Sequence, residues 1–169
     1  MLSARKSWLP YISATILLLY WGILYYFGNE APFSLEGNAT LLFDREILGE
    51  SHMYHGFGIP FDPEGLLSTI PAIVTALLGY MSGVLIHKSE ETKIIKQLFV
   101  AGLTGIVAGL IWGLIFPINK PLWTSSYVLY AAGWASVVLA GLIWIIDIKS
   151  YKKWTSFFVA FGMNPLFIF

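Results

Sequence analysis

Residues 8–27, 66–86, 98–116 and 126–146 contain no Asp, Glu, Lys or Arg, and a further apolar run begins near 154. A hydrocarbon layer of about 30 Å is crossed by about 20 helical residues, and a spanning segment must satisfy its own backbone hydrogen bonds. Each stretch has the length of one helical crossing. The expected fold class is therefore all-α, a polytopic membrane helix bundle with four complete transmembrane helices and a partial fifth over 154–169. Residues 1–169 are taken as a single transmembrane domain with an ordered loop over 28–65. The composition agrees, with 57% hydrophobic and only 12% charged residues, where a soluble domain carries about 25% charged. The first run is longer than a signal-peptide core and closes on Tyr25, Tyr26 and Phe27 rather than on small residues, so it is expected to stay as a span.

Lys and Arg are segregated by loop. Eight of the ten, at positions 5, 6, 88, 93, 96, 149, 152 and 153, alternate onto one side of the four spans, leaving Arg45 and Lys120 on the other. The positive-inside rule makes the first side cytoplasmic and puts 28–65 and 117–125 outside. A bacterial inner membrane, with the N-terminus of this sequence cytoplasmic, is the default expectation. Trp8, Tyr11, Tyr25, Tyr26, Trp123 and Tyr127 fall where interfacial aromatic belts are expected.

Small residues recur every four positions: Gly105, Gly109 and Gly113 in the third span, Gly79 and Gly83 in the second, Ala132, Ser136 and Ala140 in the fourth. Such stripes let helix backbones approach in lipid, so they predict a compact bundle and allow a homodimer. There is no cysteine, and the histidines are His52, His55 and His87. No metal site is expected. Walker, dinucleotide-binding, HExxH and GxSxG patterns are absent, and no nucleic-acid partner is expected.

Three segments could carry chemistry. The 38-residue segment 28–65 holds seven acids against Arg45 alone, with Phe43, Ile47, Leu48, Met53, Tyr54 and Phe57 suggesting an ordered cap and 38–48 a short helix. It ends in the sequence FDPEGLLST over 61–69. Asp62 suits a helix N-cap with Pro63 at the first helical position, or else Asp62 and Glu64 face an outer cavity and orient an acceptor hydroxyl or amine. In FPINKPLWTSS, over 116–126, Thr124 or Ser125 can cap the fourth span, and Lys120 either pairs with the acidic loop or binds an anion. In GMNP, over 162–165, Asn164 falls near the bilayer centre, as an interhelical hydrogen-bonding group beside a proline kink or as part of a substrate passage.

Taken together, GNATLLFDREIL (37–48), FDPEGLLSTIPAIVTALLGYMSGVLI (61–86), FPINKPLWTSSYVLYAAG (116–133) and GMNP (162–165) resemble the heparan-alpha-glucosaminide N-acetyltransferase-like membrane acyltransferases. The resemblance implies transfer of an acyl group from acyl-CoA, acetyl-CoA in particular, to a sugar amine or hydroxyl across the lipid bilayer. It implies catalytic roles for Asp62 and Glu64, and substrate or donor binding by Asn119, Lys120, Ser125 and Asn164. Members of that family carry an earlier block of spans with a histidine-containing motif. None of His52, His55 or His87 matches it, and the chain is expected to be a C-terminal half whose N-terminal half supplies that segment. Two other functions compete: a transporter or flippase subunit with a helix broken at Asn164, and a non-catalytic membrane scaffold. The four spans show no internal repeat, which favours the acyltransferase.

Overall fold

The computed structural model describes residues 7–63, 65–88 and 90–163, and in them the chain is all-helical. Six α-helices follow in order: α1 Leu9–Phe27, α2 Ala39–Leu48, α3 Thr69–Lys88, α4 Glu91–Gly113, α5 Ser125–Ile143 and α6 Thr155–Met163, with α5 running on into a π-helical turn over Trp144–Ile148. Four of them are long and apolar enough to cross a membrane: Leu9–Phe27, Thr69–His87, Thr92–Gly113 and Ser125–Ile148. This is an integral membrane helix bundle.

Helix limits depart from the charge-free stretches for identifiable reasons. The second span does not start at Asp62. Pro71 lacks an N–H and crowds the carbonyl four residues back, so it is tolerated only in a first turn. Accordingly α3 begins at Thr69, and Asp62 serves a different role: its carbonyl accepts the Gly65 N–H at 3.1 Å and closes a turn. The N-cap reading of Asp62 is thereby corrected. In the third span the helix starts at Glu91 rather than near Leu98, because Lys93 and Lys96 do not interrupt hydrogen bonding and long cationic chains can reach the interface.

The α4–α5 pair has the most extensive contact, and the small residues are its cause. A Cβ on Gly133 would stand 2.6 Å from the Ile106 nitrogen and 2.7 Å from the Gly102 carbonyl oxygen, and one on Gly109 only 2.9 Å from the Ser126 carbonyl oxygen. The expected Gly79 and Gly83 stripe behaves differently, since both positions look into open space. Instead α3 packs through Val74 and Leu78 on Leu17 of α1 and Val128 of α5. It stands off from α4, leaving a cavity of about 570 Å³ lined by Leu78, Met81, Leu98, Ala101, Leu129 and Ala132 among others.

One end of the bundle is built from loops. There α2 forms as expected for 38–48: Asn38 is its N-cap, its side chain accepting the Leu41 N–H at 2.8 Å while its amide donates to the Ser34 and Leu35 carbonyls. Leu41, Met53, Phe61 and Leu122 make a buried cluster beneath it. The cap is ordered, although Phe43, Ile47, Tyr54 and Phe57 remain exposed on its outer side.

Candidate functional site at the loop-rich end

Phe61 and Leu122 share one buried cluster with Leu41 and Met53, which joins the 61–69 and 116–126 segments. The connection is reinforced from α1, where the Tyr20 hydroxyl, fully buried, donates to the Leu122 carbonyl at 2.5 Å. Asp62, half-buried, is the residue after Phe61, and exposed Lys120 lies two before Leu122. Two of the expected site residues thus flank one cluster. Glu64 lies outside the described residues, as do Asn164 and Pro165 of GMNP, whereas Gly162 and Met163 close α6.

The polar residues of the 116–126 segment mostly serve the fold. Asn119 accepts the Leu122 N–H through its side chain at 3.3 Å and gives its own N–H to Thr124 Oγ1 at 3.0 Å. Thr124 caps α5 and also reaches the Pro117 carbonyl at 3.0 Å. Ser125 donates to the Leu17 carbonyl at 2.7 Å, and Ser126 to the Phe116 carbonyl at 2.6 Å. All three hydroxyl residues are fully buried. Phe116 and Pro117 follow the end of α4, where carbonyls near a bilayer have few water partners and these hydroxyls supply them, while Ser125 ties α5 to the middle of α1. Lys120 is in no ion pair among the described residues, where Arg45 and Glu50 pair at 3.1 Å. Trp123 is held at a φ of 49°, a left-handed conformation uncommon for a large side chain, and its indole N–H donates to Thr75 Oγ1 at 3.2 Å. The exposed loop histidine His52 bonds locally, its Nδ1 lying 3.0 Å from the Leu48 carbonyl oxygen.

The residue that sequence reasoning passed over is Asp44. It lies on the same face of α2 as Thr40 and Leu41 and is fully buried. Its Oδ1 accepts the Leu66 N–H at 3.1 Å, while its Oδ2 has no hydrogen-bond partner. Gly65 makes room for it, because a Cβ there would fall 1.8 Å from Oδ2. Burial raises the Asp44 carboxyl above the ordinary value of 3.8, the Leu66 N–H opposes that, and the charge of nearby Asp62 adds to the rise. The signal was present in the sequence: an acid three residues after Leu41 and four after Thr40 falls on the buried face of an amphipathic helix. Counting it among seven loop acids hid its position.

No protein-family model matches the chain. The chain is 35% identical to heparan-alpha-glucosaminide N-acetyltransferase of Mus musculus, over 79% of its own length and 23% of the relative's. To the Homo sapiens protein of the same name it is 32% identical, over 79% of its length and 22% of the relative's. It therefore spans about a quarter of the length of the curated relatives it matches. Most of the chain's length is thus similar to part of the heparan-alpha-glucosaminide N-acetyltransferases, and the matched length carries a bundle of apolar helices long enough to cross a membrane.

Proposed function

We propose that this chain is part of a multi-pass enzyme that moves an acetyl or other acyl group from acyl-CoA to the amine or hydroxyl of a sugar on the opposite side of the membrane. The observation that carries the proposal is the similarity to two proteins named as N-acetyltransferases of a glucosaminide. The reading is supported at the loop-rich end, where the segments that carry Asp62 and Lys120 share one buried cluster through Phe61 and Leu122. We place that end on the extracytoplasmic side, the side favoured by the Lys and Arg distribution.

Acyl transfer breaks the thioester C–S bond and forms an N–C or O–C bond, and the acceptor's proton finally resides on the released thiol. A carboxylate at the acceptor is suited to take that proton first. Asp62 fills this role, with Glu64 two residues on in the sequence. Lys120, exposed and in no ion pair among the described residues, supplies positive charge for an anionic group, and Asn119 holds the loop that presents it. The Ser125 hydroxyl is directed into the bundle, so its contribution is to seat α5 on α1. Asn164 belongs to the central passage. The residues here supply the acceptor end, and the histidine segment implied by the family completes the reaction.

The test is Asp62→Asn in the complete membrane enzyme, with acyl-CoA and acceptor both below saturation. Asn retains hydrogen-bonding capacity and removes the charge, so folding persists and turnover falls by about 100-fold or more. Turnover at the wild-type level would remove Asp62 from the chemistry.

A further inference from the structure

Asp44 is a carboxylate that the described structure leaves half-satisfied. It is inaccessible to solvent, has one backbone N–H on Oδ1 and nothing on Oδ2. No Lys, Arg or His among the described residues lies within ion-pair distance, and the adjacent Arg45 is turned to Glu50. From α1, the titratable group that faces Asp44 is Tyr20, close enough for their charges to interact, and its hydroxyl is already given to Leu122. From the 61–68 segment the facing group is Asp62. An ionised Asp44 would therefore be a buried anion beside a second carboxylate, without a cation to offset it, which is the arrangement in which one of two acids keeps its proton. Exposure decides which: Asp62 retains contact with solvent and Asp44 has none.

We propose that Asp44 is a neutral, proton-holding carboxyl beside the Asp62 segment, a positioning residue for the acceptor end. The inference rests on the acyltransferase reading for its purpose, but the protonation states stand apart from it. Two carboxyls set apart by their surroundings take separate roles, one as acid and one as base. Gly65 fits the same arrangement, since any side chain there would occupy the position of Asp44 Oδ2 and force the two acids into a different relation. A purely structural Asp44 would need only the acceptor for Leu66 N–H.

The chain contains three aspartates, Asp44, Asp62 and Asp147. Carboxyl-¹³C labelling of aspartate therefore gives three signals, which can be titrated by NMR in lipid nanodiscs. Asp44→Asn, Asp62→Asn and Asp147→Asn assign them, and if Asp44→Asn fails to fold the other two identify Asp44 by elimination. The expected result is one aspartate still protonated at neutral pH, assigned to Asp44. Three ionised aspartates at neutral pH, or a protonated signal assigned to Asp62, would overturn the proposal. In the complete enzyme, Asp44→Asn should remove the decline in turnover on the alkaline side that loss of the Asp44 proton gives the wild type. A pH profile identical to wild type would equally count against it. A wild-type enzyme that transfers no acyl group to any sugar, while the NMR result holds, would instead remove the acyltransferase reading and leave the proton assignment intact.

Discussion

Replacing Gly133 by alanine probes the closest helix contact in the bundle. The added Cβ would meet the Ile106 nitrogen at 2.6 Å, 0.8 Å short of the 3.4 Å at which ordinary van der Waals contact begins. Both nearest atoms, Ile106 N and Gly102 O, belong to the α4 backbone, so no side chain can rotate away. Relief requires the helices to part by several tenths of an ångström along a contact that continues to Gly109, where Ser126 and Tyr130 of α5 come equally near. A gap of 0.5–1 Å forfeits a quarter to a half of each dispersion contact, and overpacking of this kind costs about 1–3 kcal/mol. Gly79→Ala is the matched control, with nothing within 4 Å of its Cβ position. There the helix gains from the lost backbone freedom of glycine, by about 0.5–1 kcal/mol. Unfolding in mixed micelles followed by circular dichroism should show Gly133→Ala less stable than wild type and Gly79→Ala equal or more stable. Equal stability of the two variants would refute the α4–α5 contact as the glycine-dependent seam.

The remaining predictions concern protons and sidedness. Because the Asp44 carboxyl is raised above 3.8, the folded state holds this proton more tightly than the unfolded chain. The associated stabilisation is present at low pH and is lost as pH climbs from 3.8 through the folded-state value. Stability curves of wild type and Asp44→Asn should separate across that window, and parallel curves would show that Asp44 does not titrate abnormally. The chain has no cysteine, so Glu50→Cys and Glu90→Cys give clean single reporters. An impermeant maleimide should label the first in intact cells and the second only after permeabilisation, and the reverse pattern would invert the proposed orientation.

The bundle was legible because the bilayer imposes a length, and four stretches obey it. What the stretches could not fix was where helices begin, since hydrogen bonding responds to Pro71 and ignores Lys93 and Lys96. The Gly105 and Gly109 spacing of α4 was equally legible, but the close pairing of Gly102 with Gly133 of α5 emerges only when the two helices are docked. At the loop-rich end the difficulty was of another kind. Thr124, Ser125 and Ser126 look like a site in the sequence, yet their hydroxyls are taken up by carbonyls at Pro117, Leu17 and Phe116, partners separated from them by up to 108 positions. Sequence spacing cannot show whether a polar group is already satisfied. The structure can, and it divides the polar residues into those whose hydrogen bonds close within the chain and those left open, such as Ser13, Trp21 and Asp44. A group left open away from water is retained against a cost. Of these three only Asp44 can carry a charge or exchange a proton, and it alone lies beside another acid. That places the chemical interest of this end on α2, a helix whose ten residues would otherwise count as a lid.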